Sequence, residues 1–516
     1  MKLKLLFTAL IFLSIKGFAQ DGSKIFDGVK NITLRNVGVI TKNNVIEGYF
    51  NFYEFDKVDR KTILYRLNLL DANLNQIGTK DIQGPKEWQL VGSGFDGNNF
   101  CFKFWDEKKR TIELKVYDQQ ANEVTSSTLK VNYRPTGGDY ENYSKMVSPE
   151  INIADNNGFV DYTFNDPNDA FIVSYINGTT QKSWQKAYEP EGKSKYMFPI
   201  YLNGNGEMIL TGVARIERGL YNTKTDHSLL ATSTKDGHQL FDISTQFGDN
   251  YVVPINAVFE GDRILLIGLN YKTNKSFTTP PDGFAFIQID KSGKVLKSNF
   301  NTLENSLGKY LPMENDKLKG DYYLFIHDIV QSNRNTNVVI AEKFKKEIDA
   351  GGIAMTALSL MSRTTAGGGA DLQLENMVAI EYDRDGNVIQ AMEIPKAKGA
   401  TGKFPTYIGL LSPYFLAFAA KVDGDMDYMY TLKNEDNSQI TFSFVDRDRL
   451  SPDAKKTDNF GQVKYKDGKF TSDKIPIKNA KADLSHLLPA KAGYVLQVNY
   501  FKKDKKLEMD MIKLNN

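Results

Sequence analysis

An all-β chain is what this sequence predicts, and three observations predict it. Short apolar, often aromatic runs of strand length recur through most of the 516 residues. Polar turns that set an Asp or Asn beside a Gly separate them, and such pairs favour the positive φ of primed hairpin turns, so they mark hairpin tips by mechanism. Runs and turns together return as one phrase, strand, tight turn, strand, Asp/Asn-Gly turn, strand.

The clearest copy reads Gly261 to Gly268, then Phe284 to Ile289, then Asp290-Lys291-Ser292-Gly293, then Lys294-Val295-Leu296. The phrase returns as Gly206 to Gly212 with Leu229 to Thr232 and Lys235-Asp236-Gly237, and as Val338 to Ala341 with Met377 to Tyr382 and Asp383-Arg384-Asp385-Gly386. Weaker copies are 45–53 with 63–69 and 71–78, 100–105 with 112–117 and 118–122, 170–175 with the Asn177-Gly178 turn, 414–420 with 428–432, and 494–500 with 507–512. Eight copies result, the 170 and 494 copies being the least regular.

A sheet of three or four strands cannot bury both faces alone, so each copy needs neighbours, and radial stacking removes exposed edges. The expected fold is therefore a single β-propeller of about eight (seven to eight) antiparallel blades over residues 20–516, with one short helical insertion. The last copy ends with the chain, and residues 25–40 offer Ile32, Leu34, Val37 and Val39 for a strand that closes the ring.

The copy turns fall near residues 74, 120, 177, 236, 292, 385, 436 and 504, and the step from 292 to 385 is the long one. Its cause is an insertion at 349–370, flanked by Gly351-Gly352 and Gly367-Gly368-Gly369. Ile353, Ala357, Leu360 and Met361 make an apolar stripe at helical spacing there, against polar Thr356, Ser359, Ser362 and Arg363. It reads as a flap on one propeller face or as a docking element, and these four residues are the candidate partner contacts. Residues 447–478, charged and turn-rich, read as a long excursion between blades with a small hairpin about Lys466-Asp467-Gly468.

Residues 1–19 have the parts of a signal peptide: Lys2 and Lys4, an apolar run from Leu5 to Ile15, and Gly17-Phe18-Ala19 before the cleavage point. The apolar run is too short to cross a bilayer. Cleavage would remove three lysines and no acid, taking the formal charge from +2 to −1, which gives no footing for nucleic acid. The mature chain is expected to be a soluble monomer, periplasmic or extracellular, with no membrane span and no cofactor. Cys101 is the one cysteine, so no internal disulfide forms, and its place among Phe100, Phe102 and Phe104 marks it as a buried, inert thiol.

Hairpins such as Asp290-Lys291-Ser292-Gly293 and Asp383-Arg384-Asp385-Gly386 resemble those of the broad set of propellers with an aspartate-glycine turn between outer strands. The leader ending Phe18-Ala19-Gln20 resembles those of exported Bacteroidetes proteins of uncharacterised propeller-like families. The resemblance implies a fold and an envelope or secreted location, and carries no catalytic residue across. The Trp-Asp dipeptide is not repeated from copy to copy, standing once as Trp105-Asp106, the quinoprotein blade tryptophan is missing, and Ser233 to His238 only partly echoes the sialidase aspartate box.

No catalytic set stands out. Only His227, His238, His327 and His486 could serve a Ser or Cys nucleophile, and Gly-x-Ser-x-Gly does not occur. Nor does His-Glu-x-x-His, and His327 reads as a hydrogen-bonded strand histidine. Asp423, Asp425 and Asp427 alternate and are weak calcium candidates, lacking the glycine and terminal glutamate of an EF-hand loop. Lys502, Lys503, Lys505 and Lys506 form a basic hairpin tip, and Trp88, Trp105 and Trp184 read as core rather than sugar platforms. The expected function is an exported, non-enzymatic scaffold binding an unknown protein or glycan ligand. The alternative is a propeller hydrolase or lyase acting on glycans or peptides with carboxylates at the channel mouth.

Overall fold

The computed structural model describes residues 22–514 apart from 34–35, 43–44, 132–150, 155–157, 166–169, 193–195, 219–222, 274–280, 316, 349–369, 402–412, 447–458, 478–481 and 492. The leader at 1–19 and the insertion residues Ile353, Ala357, Leu360 and Met361 lie outside the described residues.

Eight antiparallel sheets of four principal strands follow one another along the chain as the blades of a propeller. Blade 1 is Val37–Lys42, Val45–Lys57, Thr62–Asp71 and Gln76–Pro85; blade 2 is Trp88–Phe95, Phe100–Asp106, Thr111–Tyr117 and Glu123–Lys130. Blade 3 is Asn152–Ile153, Phe159–Asn165, Ala170–Ile176 and Ser183–Tyr188; blade 4 is Tyr196–Gly204, Met208–Arg218, Thr223–Ser233 and Gln239–Ser244. Blade 5 is Asn250–Glu260, Arg263–Tyr271, Gly283–Asp290 and Val295–Thr302, with Gln246–Phe247 added beside its first strand. Blade 6 is Tyr323–Gln331, Asn337–Ile348, Ala370–Tyr382 and Val388–Ile394, and blade 7 is Tyr428–Lys433, Gln439–Asp446, Asn459–Lys466 and Lys469–Pro476. Blade 8 takes Leu484–Pro489, Tyr494–Phe501 and Lys506–Lys513 from the C-terminus and Ser23–Asp27 from the N-terminus, with Ser23 opposite Asp510 and Asp27 opposite Lys506.

The ring closes because every joint is apolar. Phe50, Phe52 and Tyr65 of blade 1 meet Phe100, Phe102 and Phe104 of blade 2; Val445 and Phe460 of blade 7 meet Leu487 and Val495 of blade 8. Leu496 and Met509 of blade 8 meet Tyr49 and Leu70 of blade 1. Second strands are sealed on both faces along their middles, Phe100–Asp106 at every position, whereas fourth strands such as Val295–Thr302 form the exposed rim.

Three expectations are corrected. Tyr414–Ala420 is not a strand but part of the helix Pro413–Asp423. Proline suits a first helical turn, Leu416, Ala417 and Ala420 bury one face, and Gly424 at φ +78° with the Asp425 N–H on the Ala420 carbonyl ends the helix. The hairpin at Asp467-Gly468 is not in an excursion between blades: its strands are the third and fourth of blade 7, so it is that blade's counterpart of the Asp-Gly turns elsewhere. In the N-terminal segment, Ser23–Asp27 closes the ring, while Val37 and Val39 belong to the first strand of blade 1.

The Asp-Gly turns also join blades. Gly237, Gly293 and Gly386 have φ of +74°, +89° and +80°, and a Cβ on them would come within 2.7, 2.7 and 2.2 Å of Trp184, Phe241 and Phe286 of the preceding blade. Each turn aspartate caps its own loop, as Asp383 does by accepting the N–H groups of Asp385 and Asn387, both at 2.8 Å. Glycine is thus required twice, by backbone and by the aromatic seated on it. Gly386→Ala is expected to cost roughly 2–4 kcal/mol, left-handed strain plus overpacking. Gly386→Asn, which tolerates the φ but keeps the Cβ, should restore only the strain part in urea unfolding.

Candidate functional face and its buried charges

The two rims of the ring differ. Connections between first and second strands and between third and fourth strands emerge on one face, and among them the longest is 177–182. Connections between second and third strands and between blades emerge on the other, and these include 131–151, 303–322, 349–369 and 395–427. Three of those four long connections leave or enter blade 6. The basic tip at 502–506 lies on this long-connection face as well, with the Lys502 N–H bonded to Asp483 and Lys506 paired with Glu508 at 2.6 Å.

Beneath it, between blades 6 and 7, lies a sealed set of ionisable groups. His327 comes from the first strand of blade 6 at a bulge, Glu342 from its second strand, Lys396 from the residues after its fourth, and Asp427 from the entry to blade 7. Lys396 Nζ donates to Asp427 Oδ2 at 2.7 Å and lies 3.0 Å from Glu342 Oε1, and the Asp427 N–H donates to Glu342 Oε2 at 3.2 Å. His327 Nε2 is 3.1 Å from the same Oε2, and its ring stacks on Tyr428. All four side chains are closed to solvent.

The protonation states follow from these contacts. Burial would push the Glu342 carboxyl up, but the Lys396 charge and the His327 hydrogen bond outweigh it and hold it at about 2. Burial lowers the His327 imidazole below its usual value against the pull of Glu342, so the ring is neutral. An ionised carboxylate only accepts, so Nε2 carries the proton and Nδ1 is an acceptor without a partner. Lys396 is raised, its two carboxylates prevailing over burial. The set is an ion-pair clasp joining two blades. Outside it, Lys343 holds Glu375 at 3.2 Å and Glu393 at 3.0 Å, and Lys398 holds Glu375 at 3.2 Å.

A second clasp joins blades 2 and 3. Lys103 Nζ donates to Asp161 Oδ1 at 2.6 Å with both side chains fully buried, and Thr163 donates to the other oxygen at 3.3 Å. Burial pushes the Asp161 carboxyl up against the pull of Lys103. Asp96, also raised by burial, caps its own turn by accepting from the Asn98 and Asn99 N–H groups through Oδ1, while its Oδ2 is buried without a partner.

The residues singled out in the sequence do not converge. His227 is half-buried on blade 4, lowered to about 3 by desolvation and by Arg215; His238 sits beside Asp236 on an exposed turn, and His486 is on blade 8. Cys101 is buried and its thiol is pushed up by burial, as an inert core cysteine is. Of the calcium candidates, Asp423 ends the helix, Asp425 follows its capping glycine, and Asp427 is taken up by Lys396. Among the described residues no group of three or more His, Cys, Asp or Glu is placed to hold a metal ion. Trp88 stacks on Phe104 at 4.3 Å, Trp105 is core, and Trp184 donates to the Thr234 carbonyl. Both clasps escaped the sequence reading, although Glu342 after Val338 to Ala341 and Lys103 amid four aromatics are charges set inside apolar strands.

A family of unknown function, DUF6770, has a model that matches residues 1–515. The chain belongs to that family. No curated protein matches it. Among solved structures it is similar to the WD40 domain of SCAP from fission yeast, at 10% identity and TM-score 0.34 over 95% of this chain and 98% of that one. It is also similar to prolyl oligopeptidase B from Galerina marginata, at 9% identity and TM-score 0.38 over 94% of this chain and 56% of that one. A third is the β-propeller domain of the Trilobed protease from Pyrococcus furiosus, at 11% identity and TM-score 0.29 over 70% and 92%.

Two outcomes test the clasps. Lys103→Met strands Asp161 without a partner and should cost roughly 3–5 kcal/mol, while Lys103→Met with Asp161→Leu should recover most of it in chemical denaturation. Because His227 and His327 are both lowered, the unfolded chain binds protons below about pH 6.5 that the folded chain does not, so stability falls as pH drops. His227 acts between 6.5 and about 3. Each histidine should give a slope of roughly 1.4 kcal/mol per pH unit in its window, and His227→Asn should flatten it in thermal melts from pH 7 to 4.

Proposed function

We propose that this DUF6770 protein is an exported, non-enzymatic propeller scaffold of the periplasm or cell surface, binding a protein or glycan ligand with its long-connection face at blades 6 and 7. The observation that carries this reading is the segregation of connections: every long one leaves the same face, and the longest cluster at blade 6. Loops on a rigid scaffold are where binding surfaces vary, and the clasps give that part of the scaffold its rigidity.

Two further features support it. The ionisable groups brought together in the interior neutralise one another, which suits positioning rather than proton transfer. The leader-like composition of residues 1–19 supports export, and no helix among the described residues is long and apolar enough to cross a membrane. The insertion at 349–370, with Ile353, Ala357, Leu360 and Met361, is the proposed contact element.

The test replaces 351–368 by a short Gly-Ser linker and compares the mature protein with Lys235→Glu, a change on the opposite face. Photo-crosslinkers placed at 303–322 and 395–401 should capture the same envelope partner from wild type and Lys235→Glu, and lose it in the linker variant. Capture that survives the linker, in a protein with an unchanged melting curve, would refute the reading.

A further inference from the structure

The opposite face holds a polar groove of about 530 Å³ between blades 5 and 6. One wall is the tight turn between the first two strands of blade 5, carrying Glu260, Asp262 and Arg263; the other is built from blade 6 turns, with Asn335 and Arg384, and Gln288 forms part of the lining. That size lies within the range of small-molecule sites.

Two features mark it. First, the protein pairs its charges freely elsewhere, across blade joints and along its rim, yet none of these four ionisable side chains has an ionic partner among the described residues. Arg384 donates only to Asn335 Oδ1, and Gln288 donates to the Arg384 carbonyl at 3.4 Å. Second, Glu260 Oε1 is shut off from solvent with no hydrogen-bond donor. A carboxylate oxygen left unsatisfied is costly, and a cationic donor that met the half-buried Glu260 carboxylate from the groove, at its other oxygen or after a turn of the side chain, would offset that cost. Two guanidinium groups present forked donors suited to a carboxylate.

We propose that this groove binds a short unblocked peptide, its ammonium end on Glu260 and Asp262, its carboxylate end on Arg263 and Arg384, and its amide groups facing Gln288 and Asn335. Charges of both signs in one groove select a zwitterion over a simple anion, which Glu260 and Asp262 would repel, and over a simple cation, which the arginines would repel. The site is on the face away from the long connections, so it stands or falls independently of the scaffold reading.

The experiment titrates the mature protein with triglycine, N-acetyl-triglycine and triglycine amide, read by calorimetry or chemical-shift perturbation. Triglycine should bind saturably and each capped form at least tenfold more weakly. Arg384→Ala and Arg263→Ala should each weaken triglycine by about tenfold to a hundredfold, the range for a charge-assisted hydrogen bond. Glu260→Gln should abolish the discrimination against N-acetyl-triglycine while keeping that against the amide. The ligand series needs only wild-type protein, so a misfolded variant does not decide the matter. Equal binding of capped and uncapped peptides, no triglycine binding up to about 10 mM, or binding of glucuronate in preference to triglycine would each overturn the proposal, the last in favour of an acidic-sugar site.

Discussion

Burial of both faces of a blade against its two neighbours is the constraint on which the rest of the structure depends. A four-stranded sheet with Phe100, Phe102 and Phe104 on one side and Cys101 and Trp105 on the other cannot shelter in isolation. Blade 2 gives the first set to blade 1 and the second to blade 3. Once every blade does this, the ring must close, because an open end would leave one whole apolar face in water. The cross-terminal strand Ser23–Asp27 meets that requirement by completing blade 8, so that Phe26 joins Leu507 and Met509 in the joint to blade 1.

Apolar joints alone do not fix which blade slides where. The polar groups set into them do. A lone aspartate in the joint between blades 2 and 3 is tolerable only where Lys103 reaches it, and Glu342 only where Lys396, Asp427 and His327 meet it. Glu381 repeats the device nearer the tight-turn face of the same blade 6 to blade 7 joint, accepting from Thr336, Gln390 and Tyr465 of blade 7. Such contacts contribute little net stability over an apolar packing of the same volume, but a displaced blade would break all of them at once. The tight turns act in the same sense: a glycine roofed by the preceding blade's aromatic leaves one seat for the turn.

Much of this was legible in the sequence, and the failures are instructive. The eight copies correspond to the eight blades because period-two alternation and Asp-Gly turns are local signals, set by residues that touch one another along the chain. Tyr414–Ala420 was misread because an unbroken apolar run has the same appearance as a buried strand or a buried helix, and Pro413 and Gly424, which decide between them, flank the run rather than lie in it. The third and fourth strands of blade 7 were hidden by their composition: Lys469–Pro476 is a rim strand, charged because it faces water, and an exposed strand resembles a loop. The clasps are of another kind. Glu342 and Lys396 are distant in sequence and Asp427 belongs to the next blade, so their meeting is a product of ring closure, and only the oddity of a charge within an apolar strand could have pointed to it.

The division between the two faces follows from the same geometry. A tight turn that must seat on its neighbour cannot lengthen without losing the contact, so Gly237, Gly293 and Gly386 hold one face to short hairpins. On the other face the described residues of the long connections 303–322 and 395–427 have no turn glycine seated under a neighbouring blade's aromatic, and a connection can grow at a cost that rises only slowly with its length. Growth is concentrated at blade 6, where the joint to blade 7 carries buried ionic and polar contacts towards both faces, and where the helix Pro413–Asp423 packs on it through Tyr414, whose hydroxyl donates to the Leu324 carbonyl at 2.6 Å. Rigidity below and freedom above are therefore not separate features. The joint that tolerates least displacement is the one that can carry the longest additions without the ring opening.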